Sequence, residues 1–136
     1  MAVMAYNDWL RNLLANVECI LAFDTAADFL GLTNGGYRPV AQIFVNKKQN
    51  IEGTEQILVP SLEDIECEEL NGLVCTTVNQ TIVDLLEQDG DEQIITESLA
   101  NYYDEHRGSF DGLKIPRHLQ SRFEKYKVWA MEYYEE

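Results

Sequence analysis

Basic residues are scarce in this chain, and through its middle they are missing. No Lys or Arg falls between Gln49 and His106, while fifteen Asp and Glu stand there, from Glu52 to Glu105. The whole chain carries 24 acidic against 10 basic residues, a formal charge of −14. Such a balance excludes an ordinary grip on a phosphate backbone, which needs clustered cations, so no direct DNA binding is expected. It also argues against docking on an anionic membrane. No apolar run approaches the roughly 18 residues of a membrane span. Met1 to Tyr6 has neither the basic start nor the apolar core of a signal peptide. Cys19, Cys67 and Cys75 form no C-x-x-C pair. An odd set of scattered thiols fits reduced, buried side chains in a cytoplasmic protein.

Motifs of catalysis are equally sparse. The two histidines, His106 and His118, each sit beside an arginine near Gly-rich turns, where an exposed, idle imidazole is the ordinary outcome. There is no Cys/His cluster with metal-ligand spacing. No Gly-rich loop opens a helix as a phosphate cradle, and no G-x-S-x-G turn presents a nucleophile. No cofactor, no metal and no catalytic residue is therefore expected.

What is present is enough apolar material for one core. Hydrophobic residues make up 46% of the 136 residues, which sets the chain apart from a disordered acidic tail. The reading is a single domain over residues 1–136. Trp9, Leu10, Leu13, Leu14 and Val17 form one apolar stripe, predicting a helix from Asp8 to Val17. A second helix is expected to start at Asp24 or Thr25, whose side chains suit a cap, and to stop near Gly31. Thr33-Asn34-Gly35-Gly36 reads as a turn.

From Val40 the period changes. Val40–Val45 and Gln56–Val59 read as strands, with a polar loop over Lys47–Gly53 and a stop at Pro60. Ile65 and Cys67 alternate with Glu66 and Glu68, as in a half-buried strand. Asn71-Gly72 is a strong two-residue hairpin signal, and Leu73–Val78 is the returning strand. Three helices follow. Val78, Ile82, Leu85 and Leu86 share a face. Ile95, Leu99, Tyr102 and Tyr103 share another, behind the acidic first turn of Asp91 and Glu92. Pro116 suits the first position of a last helix, striped by Leu119, Phe123, Tyr126, Ala130 and Tyr133. The expected fold is α+β: a small antiparallel sheet of three or four strands (about 40–78), flanked by two N-terminal and three C-terminal helices.

The acidic stretch reads as a solvated face, or as a surface that steers a basic partner. Candidates for partner binding are Glu66, Glu68, Glu69, Glu87, Asp91 and Glu92. Trp129 and Tyr134 join them because they fall off the last helix's stripe, and such side chains are favoured at interfaces. Glu66 and Glu68 could also form a carboxylate pair for acid–base or metal work; the plainer reading is the exposed half of an alternating strand. Thr81 and Asp84 stand near a helix start, where they would satisfy free N–H groups.

Three segments together resemble the second domain of AbiEi-type antitoxins, also described as predicted transcriptional regulators. Residues 20–32, ILAFDTAADFLGL, resemble that family's L-S-H-x-T-A-L-x-L-H-G-L segment, with matches at Thr25, Ala26, Gly31 and Leu32. Residues 79–86, NQTIVDLL, resemble its E-R-T-L-x-D-L-L helix start, with matches at Thr81, Asp84, Leu85 and Leu86. The tail from Ile94 to Tyr134 is similar to the two closing helices. The family's Ser-His is replaced by Ala22-Phe23, and its Glu-Arg by Asn79-Gln80. The family normally carries a winged-helix DNA-binding domain ahead of this region, so the resemblance implies the second domain alone. It further implies a non-enzymatic role in toxin–antitoxin or phage-defence biology, with a nucleotidyltransferase-like toxin as the protein partner. Two other readings compete: an acidic nucleic-acid mimic that inhibits a DNA-binding protein, and an enzyme using Thr81, Asp84 or a Glu pair.

Overall fold

Two residues, Ile20 and Leu21, organise the sheet. In the computed structural model, which describes residues 3–33 and 40–134, they form a short strand, β1. It pairs antiparallel with β2 (Ala41–Val45) and parallel with β5 (Leu73–Thr76). β3 (Thr54–Leu58) lies beyond β2, and β4 (Cys67–Leu70) lies beyond β5. The order is β3-β2-β1-β5-β4, five strands in one mixed sheet. The expected turn at Thr33–Gly36 falls, past Thr33, outside the described residues.

The α+β class holds, but the small antiparallel sheet is corrected in two respects. β1 is too short to show any period. β3 runs parallel to β2, with Ala41 opposite Thr54 and Val45 opposite Leu58. Parallel neighbours usually need a crossover of a dozen residues or more; here a loop over 46–53 suffices. Gln56 holds that loop: Gln49 N–H donates to its Oε1 at 2.8 Å, and its Nε2 donates back to the Gln49 carbonyl at 2.9 Å. The hairpin at Asn71-Gly72 forms as expected. Both residues have positive φ (50° and 83°), and Leu70 pairs with Leu73 across the turn.

Alternation along the strands gives the sheet two different faces. Ala41, Ile43, Val45, Leu73 and Cys75 face one way, against Tyr6, Leu10 and Leu14. The latter two belong to, or just follow, α1 (Val3–Leu13), which begins five residues before the expected start. Ile20 and Phe44 face the other way, against Ile57, Ile65 and Val74. Burial raises the Cys75 thiol to about 12 and the Cys19 thiol to about 11, so both stay protonated and unreactive. All three cysteines are unpaired.

α2 (Phe23–Phe29) ends as expected at Gly31, with φ +78°. Gly31 N–H donates to the Asp28 carbonyl and Leu32 N–H to the Ala27 carbonyl, a Schellman ending with Leu32 buried behind it. The other three helices are α3 (Val78–Gln88), α4 (Glu92–Glu105) and α5 (Gln120–Glu132). Their apolar stripes meet in one core of Ile82, Leu85, Leu86, Ile95, Leu99, Phe123 and Tyr126. Burying each such side chain is worth about 1.5–3 kcal/mol. Pro116 precedes a short 3-10 turn, Arg117–Leu119, which leads into α5. Among the described residues, no helix is long and apolar enough to cross a membrane.

Candidate functional site

A pocket of about 340 Å³ opens where α2, β2 and α3 meet, lined by Phe23, Phe44, Asp84, Glu87 and Gln88. Its shape begins with one polar residue in an apolar strand. Gln42 is buried in β2. Its side-chain Oε1 accepts the Asp24 N–H at 2.9 Å, and its own N–H donates to Thr25 Oγ1 at 2.9 Å. Its carbonyl accepts the Ala22 N–H. The bond to the Asp24 N–H does the work expected of a cap at Asp24 or Thr25, and the other two tie the start of α2 to β2. The residue at the actual cap position, Ala22, has no side chain to offer.

That anchoring holds Phe23 at φ +48°. A non-glycine residue in this region costs on the order of 1 kcal/mol or more and persists only where surrounding bonds enforce it. Phe23 is thereby laid over Phe44, with ring centroids 5.6 Å apart and planes tilted by 50°.

α3 supplies the other wall. Its apolar face is turned into the helical core, so Asp84, Glu87 and Gln88, spaced i, i+3 and i+4, share a side. The helix is capped by Thr77, whose Oγ1 accepts the Gln80 N–H at 3.1 Å. The expectation that Thr81 and Asp84 satisfy free N–H groups is therefore corrected: the helix starts one turn earlier. Thr81 is fully buried and donates to the Thr77 carbonyl at 2.8 Å. Asp84 lies in mid-helix. Its Oδ1 accepts from Gln80 Nε2 at 2.8 Å. Its Oδ2 is shielded from solvent and has no hydrogen-bond partner among the described residues. Burial, with a contribution from Glu87, raises this carboxyl to about 6 against the opposing pull of Gln80. Among the described residues, no cation acts on it.

Glu87 is exposed and its Oε1 lies 2.8 Å from His118 Nε2, so His118 is engaged rather than idle. His106 is engaged too, stacked on Tyr102 at 3.8 Å. Arg122 closes the end of α3, donating from Nη1 to the carbonyls of Leu86 at 2.6 Å and Glu87 at 3.2 Å. Its Nε lies 3.6 Å from Asp89 Oδ2. Asp89 in turn accepts from Tyr126 Oη at 2.8 Å. Burial first, then Asp89 and Glu92, raise that phenol to about 12. Trp129 packs edge-on against Tyr126 at 5.6 Å. This chain of contacts gathers Glu87, Glu92 and Trp129 around the α3–α4 corner.

The remaining candidates lie elsewhere or do other work. Asp91 caps α4, accepting the Gln93 N–H at 2.9 Å. Glu66 accepts from Thr77 Oγ1 at 3.0 Å, at the opposite end of α3. Glu68 and Glu69 are exposed on the edge strand β4, on opposite faces of the sheet. Tyr134 is 51% exposed, and its hydroxyl donates to Asn101 Oδ1. Phe23, Phe44 and Gln88 were not legible as site residues. The one available signal was Gln42, a lone polar residue inside VAQIFV. Among the described residues, no three His, Cys, Asp or Glu side chains gather as metal ligands. No protein-family model and no curated protein matches the chain.

Proposed function

We propose that this chain is a non-enzymatic, antitoxin-like interaction module of the cytoplasm. It acts in a toxin–antitoxin or phage-defence system and counters a nucleotidyltransferase-like toxin through that partner's basic surface. The observation that carries the reading is the α3–α4 corner. There Glu87, Asp91 and Glu92 stand exposed at the end of α3 and the start of α4, while Trp129, itself 42% exposed, packs on Tyr126 with Lys125 Nζ 5.5 Å from its ring. A cluster of exposed carboxylates at one corner is suited to meeting a cationic protein face. The resemblance of residues 20–32 and 79–86 to AbiEi-type antitoxins supplies the class of partner.

Co-expression with a nucleotidyltransferase-like toxin of the kind the resemblance implies tests this directly. Relief of toxicity that weakens in a Glu87→Gln, Glu92→Gln variant supports the reading. Failure of the intact chain to relieve toxicity sinks it. A nucleic-acid mimic would instead be displaced from its target by duplex DNA.

A further inference from the structure

We propose that the pocket between Phe23, Phe44 and Asp84 receives a long basic side chain, arginine or lysine, from a protein partner. The inference rests on reading the acidic corner as a docking surface, and it assigns that surface its anchor point.

The walls match such a side chain along its length. Arginine and lysine have an apolar stem and a cationic tip. The pocket offers two aromatic rings for the stem and the flat of a guanidinium, with Asp84 and Glu87 for the charge. Its volume of about 340 Å³ is ample for one such side chain. A cation over an aromatic face gains from the ring's quadrupole, more so when partly desolvated. The second argument is what the pocket lacks. Asp84 is the one member of the wall with a shielded carboxylate oxygen and no hydrogen-bond partner for it. Among the described residues, His118 is engaged with Glu87 and Arg122 with the end of α3, so neither supplies a counter-charge to Asp84. A half-buried carboxylate with one shielded oxygen and no counter-ion among the described residues is costly to ionise, and an incoming cation relieves that cost. The third is strain. Phe23 is held at φ +48° by the Gln42 bonds, and that geometry sets its ring against Phe44 on the pocket wall.

The test is a titration of the isotope-labelled full chain with the blocked tripeptide acetyl-Gly-Arg-Gly-amide, followed by NMR. The expected result is a saturable shift of the Phe23, Phe44 and Asp84 amides. The same peptide with citrulline, which keeps the shape and loses the charge, gives none. Asp84→Asn weakens binding about tenfold or more, the scale of one charge-assisted contact, while the fold is kept or stabilised. Phe23→Leu weakens it as well, and Asp104→Asn, exposed on α4, leaves it unchanged. The proposal is overturned if no saturable shift appears, if citrulline binds equally, or if Asp84→Asn binds as well as the parent. Markedly tighter binding of free agmatine than of the peptide also overturns it, in favour of a small-amine site. Failure of this titration with toxin relief intact removes the anchor alone. Intact peptide binding without toxin relief removes the antitoxin reading alone.

Discussion

Thr81 Oγ1 lies 2.6 Å from Thr76 Oγ1, joining the second turn of α3 to the last residue of β5. Both residues are fully buried. The hydroxyl of Thr81 also reaches the Thr77 carbonyl. The pair pins the helix that forms one pocket wall to the sheet beneath it. Thr81→Val is expected to lower stability by about 1–2 kcal/mol, since it strands a buried hydroxyl. Thr81→Ser, which keeps the oxygen, should recover much of that. Urea unfolding with an unchanged m-value checks both; equal losses would show that the methyl packing matters more than the bond.

Asp84 gives a pH dependence of defined sign. Its carboxyl titrates near 6 when folded, against an ordinary value of 3.8. Between those values the folded chain holds a proton that the unfolded chain has released. This group's contribution therefore falls as pH rises from about 4 to about 6, and the penalty is complete above that. Allowing for solvent on the pocket side, it amounts to about 1–2 kcal/mol. Asp84→Asn should be more stable than the parent at pH 7 and about equal to it at pH 4. Thermal melts across that range decide it; a variant destabilised at pH 7 contradicts the assignment.

Gln42 is predicted to hold the α2 entry through its side chain. Gln42→Met keeps the volume and both backbone bonds but removes the acceptor of the Asp24 N–H. A loss of about 1 kcal/mol is expected, together with faster amide exchange at Asp24. Unchanged exchange would place the anchoring in the backbone bonds alone.

Gly112 and Gly108 make a controlled comparison. A Cβ on Gly112, at φ +100°, would lie 2.9 Å from Tyr102 Oη, whereas one on Gly108, at φ +74°, meets Tyr103 at an ordinary 3.5 Å. Tyr102 is buried and its hydroxyl donates to the Asp111 carbonyl, so it cannot swing clear. Gly108→Ala should cost about 1–2 kcal/mol, from backbone conformation alone. Gly112→Ala should cost measurably more. Denaturation midpoints of the two variants test the order.

The sequence by itself determined the elements that rest on local rules. The stripe Leu119, Phe123, Tyr126, Ala130 needs only the helical repeat. The Asn71-Gly72 turn needs only two residues that tolerate positive φ. The Gly31 ending needs only a glycine ahead of a buried leucine. These are interactions among residues a few positions apart, so the chain's order reveals them. The parallel pairing of β2 with β3, the insertion of Ile20 and Leu21 between distant strands, and the capping of α2 by Gln42 were decided by tertiary structure. Each depends on groups more than ten residues apart, or on a loop held shut by one side chain. The pocket belongs to this second kind. Phe23, Phe44 and Asp84 carry no shared spacing, and only the packing of α2, β2 and α3 makes them one wall.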